Sequence, residues 1–311
     1  GGAYATLSPI VLFRGIVHAV GPYRCPNVRV SGDAVATNTV PNGAFRGFGS
    51  PQVIFAAERE MDELARKLGI SPVDLRRKNL LREGDRTATN QLLTSSVGAV
   101  ETLEKALERF EATSQISNVN CQMSDDKWSV KRGTGLSTIF YGVGLGAGGQ
   151  RLARAGATID ITEDGSVAFA VGTTEIGQGM KTVLSQITAE SLGVPLDRVR
   201  MLPTDTTRVP DSGPTVASRA TTMSGRALQN AAGVLRDRLL AAAAAKLNVP
   251  PARLALRNGV LLRDGAAAGV SFDELLDECR EQRIPLSAAG WHHPRSLEFD
   301  WQSCQGDAYV V

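Results

Sequence analysis

Apolar positions in the first third of the chain recur at helical spacing; from about Lys131 strand-like alternation takes over, interleaved with further helices. Residues 10–20 are an apolar stretch in which Arg14 and His18 stand at i and i+4, on one face of a helix. An arginine among Leu12, Phe13, Ile16 and Val17 is set for partial burial and needs an acceptor, either a core carboxylate or a ligand in an apolar pocket. After a turn at Gly21-Pro22 and a strand over 27–30, Ser50 reads as an N-cap and Pro51 as the first helical residue. Val53, Ile54, Ala57, Met61, Leu64, Ala65 and Leu68 form the inner stripe of that helix, which Gly69 ends. Ser71-Pro72 opens a second helix to about Asn79. A third, over 101–112, turns Leu103, Leu107 and Phe110 inward and leaves its charges, Glu104 among them, as a solvated face. Residues 113–126 are a polar excursion without evident chemistry.

Residues 133–140 and 157–171 alternate as strands, the latter folding back at Glu163-Asp164-Gly165. The glycine-dense interval 142–149 is mobile or closely packed. A helix runs from about Met180 to Leu192 and stops at Gly193, a strand covers 199–202, and a long Ala/Leu-rich helix ends near Leu247. Residues 254–262 read as a hairpin through Asn258-Gly259, and Ser271 with Glu274 is a capping box for a helix to about Arg280. The fold class is α+β, a two-lobed mixed α/β arrangement divided into residues 1–125 and a strand-rich 126–311 with long helices.

Composition narrows the function classes. With 21% charged residues and a net charge of +2, no broad field favours nucleic acid or an anionic membrane. No apolar run approaches a membrane span. Cys25, Cys121, Cys279 and Cys304 have neither metal-type spacing nor the density of a disulfide framework, which suits reduced thiols in a cytoplasmic protein. His18, His292 and His293 form no ligand motif, so direct metal ligation by protein side chains is not expected. The ends, Gly1-Gly2-Ala3-Tyr4 and Ala308-Tyr309-Val310-Val311, suggest a piece of a longer polypeptide or of a split subunit.

Three loops carry candidate chemistry. Residues 41–52 place Phe45, Arg46 and Phe48 among glycines at 43, 47 and 49, a fixed cation beside flat apolar walls at the entrance of a helix; the plain alternative is a surface turn with one buried ring. Residues 172–179 end a strand and start a helix, with Gln178 between Gly177 and Gly179 offering donor and acceptor together. Residues 211–224 supply Ser212, Thr215, Ser218, Thr221, Thr222 and Ser224 at a helix entrance, either a cradle for an anionic group or a series of capping hydroxyls.

Taken together, Gly43-Ala44-Phe45-Arg46-Gly47-Phe48-Gly49 with Pro51-Gln52, Gly177-Gln178-Gly179 and the run 215–224 resemble the molybdenum-binding subunit of the xanthine dehydrogenase and aldehyde oxidase family. The resemblance runs from Gly1 to Val311 and implies a cofactor site between two lobes. It implies molybdopterin, or its cytosine dinucleotide form, carrying molybdenum; water is the oxygen source and hydride leaves the substrate for a sulfido ligand. Iron–sulfur clusters and FAD are expected on partner chains or segments. By position, Gln178 would bond the metal's apical oxygen, and Phe45, Arg46, Gly47, Gly177, Gly179, Thr215, Val216, Ala217 and Ser218 would hold the cofactor. Phe48 would stack on a flat substrate, and Arg14 would meet a substrate oxygen and stabilise developing charge. The family's second substrate-ring aromatic falls at Leu145, with Tyr141 as its possible substitute. Gly43 stands where carbon-monoxide-oxidising relatives carry a cysteine. The first pterin loop and the catalytic glutamate are expected in segments outside this chain, with which it would act alongside iron–sulfur and FAD subunits. The resemblance thus implies a hydroxylase of an N-heteroaromatic compound, a purine such as xanthine or a nicotinate-like ring; an aldehyde oxidase and a non-catalytic scaffold or inactive fragment are the alternatives.

Overall fold

The computed structural model describes residues 1–116, 134–147, 149, 154–294 and 297–309, which divide into two compact units. The first comprises Gly1–Gly142 with Leu297–Tyr309, the second Val143–Ser296. The boundary drawn at 125/126 falls outside the described residues.

In the first unit α1 (Ser8–His18) packs on α2 (Ser50–Leu68), followed by α3 (Pro72–Asn79) and α4 (Ala99–Ile116). Ser50 does not cap α2: Gly47, Phe48 and Gly49 are all left-handed (φ 94°, 52°, 94°), so Gly49 precedes the helix and the Ser50 hydroxyl instead donates to the Gly47 carbonyl at 2.7 Å. Gly49 is obligatory, since a Cβ there would lie 2.2 Å from the Val11 carbonyl oxygen of α1. The buried stripe of α2 is narrower than its spacing predicts. Ile54, Glu58 and Ala65 are buried, whereas Leu64 and Leu68 are exposed because no element covers that shoulder among the described residues. Phe110 is likewise half exposed, and Glu104 belongs to more than a solvated face, for both its oxygens bond Arg77 of α3 (2.6 and 2.7 Å). Residues 27–30 and 134–140 form no strand ladder among the described residues; the second segment is held by a side chain, the Thr138 N–H donating to Glu58 at 2.8 Å.

The second unit is built on a sheet of β1 (Ala155–Ile161), β2 (Val167–Val171), β3 (Val199–Met201) and β7 (Ser287–His292), in the order β3-β2-β1-β7. β1 pairs antiparallel with β2 and β7, while β2 and β3 are parallel across α5 (Met180–Leu192). All five residues of β2 are buried, as a strand covered on both faces demands. A five-residue π turn, Ala220–Ser224, leads into α6 (Gly225–Leu247), whose Ala227, Leu228, Ala231 and Leu235 are buried in the core cluster with Ile159 and Phe169. α6 rides directly on β7 at Gly290, where a Cβ would lie 2.3 Å from the Ala227 carbonyl oxygen. A smaller sheet, β4 (Leu254–Arg257), β5 (Val260–Arg263) and β6 (Ala266–Ser271), precedes α7 (Phe272–Glu281), which carries the expected capping box. β6 and β7 are rich in Ala, Ser and Gly, so their own composition announces no strand; pairing with β5 and β1 makes them so. The short ladder β8 (Phe299–Asp300) and β9 (Gln305–Gly306) belongs to the first unit.

Cys25, Cys279 and Cys304 are free thiols, and Cys121 lies outside the described residues. Among the described residues no helix is long and apolar enough to cross a membrane.

Candidate functional site

In the first unit the i, i+4 pair predicted on α1 is buried: Arg14 is 5% and His18 0% exposed. The Arg14 Nη2 donates to the Gly142 carbonyl at 2.6 Å, and the guanidinium lies 4.9 Å from the ring centroid of Tyr141. His18 stacks on Tyr141 at 5.5 Å, and the edge of Tyr309 meets it at 5.2 Å. Burial presses the His18 imidazole down to about 4, so the ring is neutral near pH 7. Arg14 and Tyr141 are therefore one cation–aromatic unit; Leu145 belongs to the second unit.

The loop over 41–49 is a surface feature of the first unit. Phe45 is 82% exposed and Arg46 is exposed, whereas Phe48 is half-buried beneath a turn closed by its own N–H on the Phe45 carbonyl (2.7 Å). The left-handed Gly47 is the switch between the two orientations. Gly47, Pro51, Phe55, Ile139, Phe140 and Tyr141 line an open cleft of about 620 Å³ in this unit, a size that admits a small planar molecule.

In the second unit the other two predicted loops come together. The Thr174 N–H donates to Thr215 Oγ1 at 2.9 Å, the Thr173 and Ser224 hydroxyls meet at 2.6 Å, and the Gly172 N–H reaches Ser212 Oγ at 3.2 Å. Gln178 is exposed and folded onto its own loop, its Oε1 accepting from the Ile176 N–H (2.6 Å) and its Nε2 donating to the Thr174 carbonyl (2.9 Å). Gly177 and Gly179 are left-handed with no atom within 4 Å of where a Cβ would stand, which leaves the backbone open to an approaching group. Ala217 and Ser218 are also left-handed (φ 54° and 60°), and the Ala217 carbonyl accepts from the Gly144 N–H at 2.8 Å. In the glycine-rich interval Gly142, Gly144 and Gly146 are buried, and Gly142 is closely packed, since a Cβ there would lie 2.8 Å from Tyr309 Cδ1, whereas one at Gly144 would meet nothing within 4 Å.

Three polar residues that organise these parts escaped the sequence reading. Glu58, 6% exposed, accepts from Tyr23, Arg76 (3.0 Å) and Thr138 (2.8 Å), and the Arg76 guanidinium is fully buried. Its signal was legible: Glu58 stands four residues after Ile54 and seven before Ala65, on the apolar stripe. Glu175 accepts from the N–H groups of Gly177 (2.8 Å), Gly179 (3.1 Å) and Lys181 (3.0 Å); those amide bonds, Lys181's foremost, hold its carboxyl below the ordinary value. Arg219, 3% exposed, ties the third loop by donating to the carbonyls of Pro214 and Arg154, both at 2.9 Å. Among the described residues no three His, Cys, Asp or Glu side chains form a group able to hold a metal ion. What the loops offer a ligand is backbone polarity, amide and hydroxyl groups and one exposed guanidinium.

Comparison with known proteins supplies the family. Residues 1–80 and 104–311 each match a molybdopterin cofactor-binding domain. The chain is 38% identical over 228 residues to a probable xanthine dehydrogenase subunit of Bacillus subtilis (strain 168), covering 73% of this chain and 29% of that protein. It is 35% identical over 312 residues to a xanthine dehydrogenase of Emericella nidulans, covering 99% of this chain and 21% of the relative. Among solved structures, the aldehyde oxidoreductase of Desulfovibrio gigas superposes with a TM-score of 0.74 at 26% identity, over 100% of this chain and 30% of that one. The chain therefore spans less than a third of the length of these relatives. Matching cofactor-binding domains over most of its length, it belongs to the molybdopterin-binding xanthine dehydrogenase and aldehyde oxidoreductase family.

Proposed function

We propose that the chain is the part of a molybdenum hydroxylase that binds one side of the cofactor and orients an N-heteroaromatic substrate, a purine such as xanthine or a nicotinate-like ring, for hydroxylation with water as oxygen source. The observation that carries the substrate class is Arg14, a guanidinium buried against an aromatic face and fixed by a backbone carbonyl. Such a group suits a flat molecule bearing an oxygen, whose rising negative charge it stabilises. Phe48 supplies a ring for the same planar substrate, and Tyr141 backs the guanidinium. Leu145, where the family's second substrate-ring aromatic falls, would offer bulk without a ring.

The residues of the second unit fit molybdopterin in its molybdenum form or as the cytosine dinucleotide. Gly177 and Gly179 leave their backbone uncovered, and Thr215, Val216, Ala217 and Ser218 form an irregular turn whose amides and hydroxyls match a ligand rich in oxygen and nitrogen. When bound, that group supplies the oxidising centre of the reaction. Gln178 would donate to that group, Phe45 and Arg46 would help hold it, and Gly47 would separate that task from Phe48's. Iron–sulfur and FAD-bearing chains or segments are the partners this reading requires, with the remainder of the molybdenum subunit. Molybdenum and pterin analysis of the complete assembly tests the cofactor assignment, which fails if both are missing after full reconstitution. Arg14→Met in that assembly should lower kcat/KM for xanthine or nicotinate by about a hundredfold, as loss of a charged hydrogen bond warrants, and spare an aromatic aldehyde. Equal losses on all three would remove the substrate role of Arg14; faster turnover of the aldehyde than of xanthine or nicotinate by the parent assembly would favour an aldehyde oxidase, the second reading, which the likeness to the Desulfovibrio gigas aldehyde oxidoreductase supports.

A further inference from the structure

Arg14 does not hold its place by its own contacts alone, and the group that completes the arrangement is the other half of the α1 pair. His18 Nδ1 lies 2.7 Å from the Arg14 carbonyl oxygen, which can only accept, so Nδ1 carries the proton. That tautomer leaves a lone pair on Nε2, and the Gly142 N–H donates to it at 3.4 Å. The carbonyl of the same residue accepts from Arg14 Nη2 at 2.6 Å. Gly142 is thereby gripped at both of its backbone groups by side chains one helical turn apart. A side chain is barred there, because a Cβ would meet Tyr309 Cδ1 at 2.8 Å and Arg14 Nη1 at 3.4 Å. Tyr141 closes the arrangement by covering both the imidazole and the guanidinium.

We infer that His18 is a positioning residue, which sets the reach of Arg14 toward the substrate by fixing Gly142 through its Nε2 lone pair. The inference rests on the substrate role given to Arg14 above. A merely structural histidine would fill the same space and satisfy the Arg14 carbonyl; a positioning one requires the second nitrogen as an acceptor.

The test is a pair of polar substitutions in the fully assembled, molybdenum-loaded enzyme, with rates expressed per bound molybdenum. In His18→Asn the amide reaches the Arg14 carbonyl but stops short of Gly142, whereas in His18→Gln the side-chain oxygen extends to where Nε2 stood. The readout is the ratio of kcat/KM for an oxygen-bearing heteroaromatic ring, xanthine or nicotinate, to that for an aromatic aldehyde. His18→Asn should lower the ratio by about tenfold, as loss of one buried hydrogen bond warrants, mainly in kcat, and His18→Gln should restore it to within about threefold of the parent. An unchanged ratio in His18→Asn, or an equal loss in both variants, overturns the inference. The Arg14→Met variant runs alongside: if it leaves the ratio untouched, the substrate role of Arg14 fails, whatever the His18 variants do.

Discussion

The first unit and the Gly177–Gly179 loop of the second solve the same problem, holding polar groups ready at irregular loops, by opposite means. In the first, Arg14, His18, Glu58 and Arg76 are buried and satisfy one another or a backbone group across long stretches of sequence. In the second, Gln178 and Glu175 are spent on amides and carbonyls within a few residues of themselves. Burial makes the first arrangement rigid and intolerant of losing a partner. The second is held by local bonds in contact with water, which can be exchanged for bonds to a ligand at little cost. A preset anchor and an adaptable grip are the corresponding functional expectations.

The largest test of that contrast is Glu58→Ala. It leaves the buried Arg76 guanidinium without one of its two carboxylate partners and should cost roughly 3–5 kcal/mol of stability, read from the urea midpoint. A loss under about 1 kcal/mol would mean that the network behaves as if it were at the surface.

Acid should separate the units next. Burial lowers His18 from 6.5 to about 4, with Arg14, Tyr141 and Tyr309 as its polar neighbours. The unfolded chain therefore binds more protons between those values, and the first unit loses stability as pH falls through that window, by roughly 3 kcal/mol at its foot. Glu175 has the opposite starting point: its carboxyl lies below 4.5, so its contribution is complete above that pH and disappears only as pH falls through the depressed value. Hydrogen exchange should show Tyr141 and Gly142 loosening at a pH where Gly177, Gly179 and Lys181 are still protected. Simultaneous loosening would erase the distinction.

The smallest expected effect is that of Glu175→Gln. Its amide cannot accept from three N–H groups as the carboxylate does, so exchange at Gly177, Gly179 and Lys181 should quicken several-fold while the global unfolding midpoint stays put. A shifted midpoint would move this loop into the rigid class.

Helices and the main hairpin were legible because their signals are local and periodic: the Ser71 cap, the Ser271–Glu274 box, the turn at 163–165 and the breaks at Gly69 and Gly193 are each visible within a few residues. All three candidate loops were legible for the same reason, being glycine-bearing helix entrances. What escaped is non-local. Ser50 looks like a cap until the left-handed run before it is known, and β6 and β7 are strands only by virtue of their neighbours. Gly142 is marked in the sequence only as the start of a glycine-dense interval, and which side chains grip it is not written there. Glu58 and Glu175 stood in readable positions, one on an apolar stripe and one just ahead of a helix, but an acid in such a place announces a partner without naming it.

The π turn at Ala220–Ser224 gives the third loop an unusual kind of adjustability. Because the Gly225 N–H reaches back five residues to the Ala220 carbonyl, this turn holds one residue more than the α-helix it leads into. Removing a single residue here would restore regular winding with little rotation of what precedes it, because the wider turn already absorbs the extra residue, while Ala227, Leu228 and Ala231 keep their places in the core. The turn thus acts as a buffer in chain length, able to take up or give back one residue ahead of α6 without re-aiming the loop before it or repacking the protein beneath it.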